Sequence, residues 1–465
     1  MINTKYFNRN KKSHLIDKVT CKYKCDFYKK ELIIAYENNN IYGFLEFIND
    51  EITLIKVDKP EYAYYLISKY LIIKRYIFEE IKINKKIFSS FKNQFTKINY
   101  PYKEENDFII LKNNAKDINR LVKVGILDTG KNNSITDVPG VKVGHTTYHD
   151  SIHHTGITAI IPHADNVFKN KLLASCYVGN GFSKPVGFIQ VEELGTIETP
   201  ILFTNTLSIG VVTNGLIKYM IENNEDIGLS TGTVNPIVME CNDSSINNIR
   251  DIFLNDEDVN KAIINAESYF LQGSYGAGSG MCCHGFKGGI GSSSRIVKIE
   301  DSNYNIGVIV NSNFKGNSND LVFNKKFVGN IINDLQEEVQ DRGSIAVVIA
   351  TDIPLDNRQL KRLCKRAIIG IGNTGSYMGN GSGDVVLAFS TANIIRHYSK
   401  EAFNNINTLQ DEYIDTVFRG VVEAVEEAVL NSLLFNFSVK SYKGKIKDSI
   451  NEYLEAIDDL LITKL

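Results

Sequence analysis

The sequence predicts an α+β fold: from residue 123 onward a layered sandwich of sheets covered by helices, preceded by a small α+β accessory domain over residues 1–120. Three observations carry this reading. Composition shifts near residue 122: of the 34 glycines only Gly43 precedes Gly125, while Lys, Asn, Ile and Tyr crowd the first part. Beyond that point short apolar runs are punctuated by glycine clusters, and strand-like and helix-like runs mix without a regular βαβ rhythm. Finally, Ile414, Val417, Phe418, Val421, Val425, Ala428 and Val429 are spaced as one buried stripe, which predicts a long helix from Tyr413 to Leu434.

The elements follow in order. In the first part, residues 31–36, 42–48 and 52–57 read as strands, with turns at Asn38-Asn-Asn40 and Asn49-Asp50, a helical spacing over 62–78 and a closing strand over 107–111. In the second, β-branched or apolar runs at 186–191, 201–204, 306–310 and 345–350 predict strands, and 208–222 and 357–370 predict helices. No internal repeat is visible.

Composition excludes several function classes. A net charge of −2 and a pI near 6.5 leave no basic footprint for nucleic acid. No run of 18 apolar residues predicts a membrane span, and the first residues lack the apolar core of a signal peptide. Seven scattered cysteines fit reduced thiols. A cytosolic protein is expected.

The candidate chemistry centres on Gly343-Ser344, which opens the apolar run Ile345-Ala-Val-Val-Ile349. A serine at the first position of a core strand is held rigidly, and a glycine before it leaves its carbonyl approachable. That pair suits a peptide bond broken by its own serine, which would leave Ser344 with a free α-amine of pKa about 7.7–8.0 beside its hydroxyl. A plain turn or strand cap is the bland alternative. Ser382 and Asp384 lie two apart where a glycine-rich loop feeds the apolar run after Gly383, so on a strand they share one face. Glu240 ends the mostly apolar run 234–239, and a part-buried carboxylate there wants a cation, either a substrate ammonium or a Lys or Arg of the protein.

Other clusters carry less. His145, His149, His153 and His154 fit no standard zinc spacing and read as loop histidines. Gly276-Ala-Gly-Ser-Gly280 lacks the Lys-Ser/Thr of a phosphate loop and reads as close backbone packing. Cys282 and Cys283, adjacent on a strand, are expected to be one buried and one surface thiol. Of Glu192 and Glu193, one is expected to point inward.

Together, residues 135–145, 179–182, 184–195, 276–281, 286–291, Gly343-Ser344 and Gly381-Ser-Gly-Asp384 resemble the self-cleaving L-aminopeptidase/D-esterase (β-aminopeptidase) hydrolases, N-terminal-nucleophile-like serine peptidases related in architecture to ornithine acetyltransferase. The resemblance spans residues 123 to 440 in order. It implies a four-layer αββα sandwich and cleavage between Gly343 and Ser344 into two chains that stay associated, commonly as a homo-oligomer. It further implies Ser344 as nucleophile, Ser382 and Asp384 as its hydrogen-bonding support, Asn313 as oxyanion donor and Glu240 as the seat of the substrate's free amine. The substrates implied are short peptides, amides or esters, and neither a metal nor an organic cofactor is required. Two positions depart from the family pattern: Asn242 stands where a tyrosine can occur near the substrate, and Lys315 stands where a glycine would follow Phe314. The first part resembles a degenerate N-acetyltransferase domain without its glycine-rich turn, and no catalysis is assigned to it. Two rival readings remain: an acyltransferase that uses the same acyl-enzyme, and a silent binding protein on the same scaffold.

Overall fold

The structure, a computed structural model, describes residues 3–7, 31–37, 40–48, 51–57, 80–84, 102–105, 108–112, 124–314, 318–329 and 343–453. The chain divides into two compact units, Met1–Leu121 and Val122–Leu465. In the first, Asn3–Phe7, Glu31–Glu37, Asn40–Ile48 and Glu51–Val57 form an antiparallel meander. Phe108–Lys112 lies between Glu80–Asn84 and Tyr102–Glu105 in a second sheet. The helix expected over 62–78 and the position of Lys315 lie outside the described residues.

The second unit is built on two sheets, with its strands numbered here from its own start. The smaller sheet contains β1 (Lys142–His149), β2 (His154–Ile161), β5 (Ile201–Asn205) and β6 (Ile237–Cys241), in the order β6-β5-β2-β1. The larger has β3 (Asn170–Gly181), β4 (Thr196–Ile197), β7 (Gly289–Ile299), β8 (Ser302–Ser312), β9 (Ser344–Thr351) and β10 (Gly383–Arg396), in the order β4-β3-β10-β9-β8-β7. The α-helices among the described residues are α1 (Phe188–Leu194), α2 (Ile209–Glu222), α3 (Asp256–Ile264), α4 (Asn357–Asn373) and α5 (Ile414–Leu434).

Side-chain alternation sorts these elements into layers. Ile201, Phe203, Ile237 and Met239 of the small sheet meet Ala346, Val348, Leu387 and Phe389 of the large one in a common core. The opposite face of the small sheet, through Leu202 and Val238, packs on Val212 and Leu216 of α2 and Val259 of α3. Helices α4 and α5 cover the outer face of the large sheet. The result is helix, sheet, sheet, helix: a four-layer α+β sandwich. At the last interface Gly291 lets α5 settle directly on β7, for a Cβ there would lie 1.8 Å from the Ala428 carbonyl oxygen.

Strand β9 is central to the large sheet, parallel to β10 and antiparallel to β8. All eight of its residues are buried, which explains its continuous apolar run. Its register sets the site: Ser344 pairs with Gly383 of β10, and Ile345 with Ser312 of β8.

One expected strand is a helix. Residues 188–194 form α1, entered through left-handed Gly187 (φ 86°) and left through left-handed Gly195 (φ 69°), and only Val186 makes a strand-like bridge, to Val238. The buried pair Phe188 and Val191 is three apart, a helical spacing that the β-branched run masks. The helix also turns both Glu192 and Glu193 outward, and the inward carboxylate is Glu198, ion-paired with Lys171. Cys282 and Cys283 are likewise both buried, because the short ladder that carries them is covered on both sides.

Candidate active site

The strand ends that meet at Ser344 build the site. Beyond Ser312 the β8–β9 ladder continues by one more pair: the Asn313 N–H donates to the Ser344 carbonyl (2.9 Å) and the Ser344 N–H to the Asn313 carbonyl (3.3 Å). On the other side the Gly383 N–H donates to the carbonyl of Gly343 at 3.0 Å. The peptide bond between Gly343 and Ser344 is therefore held by backbone on both flanks, with its carbonyl already engaged by a donor. The Ser344 side chain is 4 % exposed; its Oγ makes no regular hydrogen bond among the described residues, and the Cys241 thiol is a side chain that bears on it. A buried hydroxyl left without a regular hydrogen bond costs roughly 1–3 kcal/mol, so it marks a place where something other than stability is served.

Ser382 and Asp384 flank Gly383, the register partner of Ser344. Both are fully buried, and the Ser382 hydroxyl donates to Asp384 Oδ1 at 2.8 Å. Their loop is tied by Asn180, whose amide donates to the carbonyls of Gly379 and Ser382. Gly383 has to be glycine for a steric reason: a Cβ there would meet the Phe182 carbonyl oxygen at 2.5 Å.

Asn313 is buried and its carboxamide is oriented without ambiguity. The Cys282 N–H donates to Oδ1 (3.0 Å), and Nδ2 donates to the Asn242 carbonyl (2.8 Å). A donor on one side and an acceptor on the other forbid the flipped amide, and the NH₂ group retains a second hydrogen to offer. Asn242 contributes its backbone here. Its exposed side chain caps a local turn by accepting from the Ser244 N–H.

The small sheet supplies Glu240 and Cys241 from the end of β6. Glu240 is 2 % exposed. One carboxylate oxygen accepts from the Ser183 hydroxyl (3.1 Å) and the Lys184 N–H (3.0 Å), and the other from the Thr206 hydroxyl. Among the ion pairs of the described residues none involves Glu240. Cys241, on the opposite face of β6, donates its thiol to the Asn311 carbonyl at 3.3 Å and so bridges the two sheets. Burial pushes this thiol far above the ordinary thiol range and keeps it protonated.

Three of the four clustered histidines are strand residues, while His153 sits in the turn between β1 and β2 beside Asp150 and Asp251. His145 and His149 lie on β1 and His154 opens β2, with His149 bonded to the Ser274 carbonyl and His145 to the Leu271 carbonyl. Among the described residues no group of three or more His, Cys, Asp or Glu side chains is disposed to hold a metal ion. Ser183, Thr206 and the Gly383 N–H were invisible to sequence reasoning, since no motif or spacing links them to Glu240 or Gly343.

The sequence profile of peptidase family S58 matches residues 133–447. The chain belongs to that family. Relatives in sequence include the beta-peptidyl aminopeptidase BapA of Sphingosinicella xenopeptidilytica, 35% identical over 329 residues that span 66% of this chain and 81% of the relative. A crystal structure from Pyrococcus horikoshii OT3 shares 47% identity and a TM-score of 0.70, covering 73% of this chain and 98% of that one. The L-aminopeptidase D-Ala-esterase/amidase of Ochrobactrum anthropi, described as a prototype of the serine aminopeptidases and a variant of the Ntn hydrolase fold, shares 32% identity and a TM-score of 0.69 over 75% of this chain and 98% of its own. This family S58 chain is accordingly a serine aminopeptidase with an Ntn-hydrolase-type sandwich.

Proposed function

We propose that the chain matures by cutting itself between Gly343 and Ser344 and then removes N-terminal residues from short peptides, amides or esters through an acyl-enzyme on Ser344. The observation that carries this is the buried Ser344 hydroxyl, free of any regular hydrogen bond among the described residues, next to a Gly343 carbonyl that already accepts the Gly383 N–H. In the first reaction Ser344 Oγ adds to the Gly343 carbonyl carbon, and Gly383 N–H bears on the oxygen as it gains charge. The C–N bond breaks, the nitrogen leaves as the amine of Ser344, and water hydrolyses the remaining ester to a Gly343 carboxylate.

The new α-amine stays beside its own hydroxyl, still within reach of the Asn313 carbonyl that the Ser344 N–H bonds now. With a pKa near 7.7–8.0 for an unperturbed α-amine, it takes the Oγ proton at neutral pH. The substrate's ammonium pairs with Glu240, whose carboxylate is preorganised by three donors. Oγ then attacks the first carbonyl of the substrate, the free hydrogen of Asn313 Nδ2 meets the oxyanion, and the amine or alcohol leaves with a proton. Ser382 and Asp384, held together at 2.8 Å, support the nucleophile and its amine. Water completes the cycle. Roles for Ser344, Ser382, Asp384, Asn313 and Glu240 follow this scheme, while Asn242 acts through its carbonyl.

Denatured mass tests the scheme. The wild type is expected as two chains meeting at Gly343/Ser344, and Ser344→Ala as one intact 52.2 kDa chain without aminopeptidase activity. A single uncut and inactive wild-type chain would overturn it. The working form is read as a cytosolic homo-oligomer of cleaved pairs, to be checked by light scattering of the cleaved protein. Residues 1–120 are read as a separate accessory unit without a part in the chemistry. Among the described residues no helix is long and apolar enough to cross a membrane.

A further inference from the structure

The oxyanion amide is aimed by two backbone groups, the Cys282 N–H and the Asn242 carbonyl, and each belongs to a segment that carries a buried ionisable side chain the chemistry does not use. Cys282 pairs in a two-residue ladder with Lys287. Lys287 is fully buried, and its ammonium donates to the carbonyls of Gly278 (2.9 Å) and Gly288 (2.5 Å), tying both ends of the loop that presents Cys282. Asn242 is followed by Asp243, also fully buried. One Asp243 oxygen accepts from the Asn247 amide at 3.1 Å, and the Thr155 hydroxyl also bears on this carboxylate. A buried carboxylate and a buried ammonium each carry a desolvation cost, and the field of the other offsets it.

We propose that Lys287 is a positioning residue for the aminopeptidase reaction: its buried ammonium, with Asp243 as countercharge, fixes the two backbone groups that aim the Asn313 carboxamide at the oxyanion. The inference rests on the role given to Asn313 above. Electrostatics agree with the geometry. Burial draws Lys287 down to about 7 against the pull of Cys282, Asp243 and Cys283, and pushes Asp243 up to about 7 against bonds from Thr155 and Asn247 and the charge of Lys287. The other titratable groups in this field are His149 and His154, both lowered chiefly by burial and further by Lys287. A charge placed where it costs stability, and tied by two bonds to one loop, has to serve the loop's position.

The test compares wild type, Lys287→Met, Asp243→Asn and the double variant on amino-acid p-nitroanilides, after denatured mass has shown which proteins are cut. Because Asn313 meets charge that exists only in the transition state, loss of aim lowers kcat and leaves KM in place. Lys287→Met is expected to lower kcat roughly 30-fold, a part of the 100- to 1,000-fold that a whole oxyanion donor supplies, with KM within about twofold. The double variant is expected to be no worse than Lys287→Met, since both changes remove one coupled pair. Wild-type kcat in Lys287→Met, a shift confined to KM, or fully additive losses would each overturn the proposal. Should Lys287→Met fail to accumulate as folded protein, Asp243→Asn decides alone, and an unchanged kcat there sinks the idea. An uncut, inactive wild type would instead overturn the mechanism beneath it, and this inference with it.

Discussion

Two buried charge clusters in the same unit are built on opposite terms. Arg295, 1 % exposed, is saturated: it bonds Glu423 (3.1 Å) and Glu427 (2.7 Å) and donates to the carbonyls of Ser294 and Val124. The two glutamates, one turn apart on α5, spend their remaining lone pairs on the N–H groups of Ile126 and Leu127 and on the Asn133 amide. The cluster staples the entry of the unit to its longest helix. Lys287 and Asp243 are different: each is buried without a direct ion-pair contact to the other, and both lie one step behind Asn313. We read saturated buried charge as architecture and buried charge without an ion pair as part of the proposed site. On this reading Glu240 falls on the second side, with three donors and no ion pair among the described residues.

That contrast can be broken by experiment. Arg295→Met would strand two buried carboxylates, and the expected loss is about 3–5 kcal/mol of stability, read from chemical denaturation. If unfolding moved by less than the shift in Lys287→Met, the division would fail. Glu240→Gln keeps the shape and the neighbours of the side chain but removes the charge offered to the substrate. Its expected effect is about 2 kcal/mol on binding, a roughly 30-fold higher KM with kcat retained and little change in melting temperature. An unchanged KM would place the ammonium elsewhere.

The smallest effect is on pH dependence. Burial holds His149 down at about 4 from an ordinary 6.5, so it folds neutral. A depressed pKa gives stability that is complete above 6.5 and is lost as pH falls toward 4, because the unfolded histidine gains its proton first. Asp243, raised to about 7, acts in the opposite sense: its contribution is complete below an ordinary 3.8 and is lost as pH rises through 7. Comparing melting temperatures of wild type and His149→Gln between pH 7 and 5 isolates the histidine, and the variant is expected to lose less on acidification. Equal slopes would mean that His149 does not titrate in this window.

Much of the architecture was legible because it obeys local periodicity. The runs that became β5, β8 and β9 and the stripes that became α2, α4 and α5 needed only burial and spacing to be seen. Phe188-Ile-Gln-Val191 was misread, since a short apolar run bounded by glycines suits either a strand or a helix, and left-handed Gly187 and Gly195 decided for the helix. The Cys282–Cys283 pair was misjudged because a two-residue ladder in the middle of a sandwich has no solvent face. Gly343-Ser344 was legible as a candidate, as were Ser382 and Asp384, whose spacing of two anticipates the bond between them.

By itself, the sequence determined which segments could be strands and helices, where the composition changes, and that a Gly-Ser pair opens the most apolar strand. These are properties of neighbours along the chain, where spacing and covalent geometry suffice. Tertiary structure alone decided that the Gly383 N–H meets the Gly343 carbonyl, that Ser183 and Thr206 hold Glu240, and that Lys287 and Asp243 stand behind Asn313. The hydrogen bonds among them join groups from 31 to 71 positions apart. Hydrogen bonds and buried charges depend on distances of a few ångströms, and only the packing of two sheets against each other brings such distant residues that close.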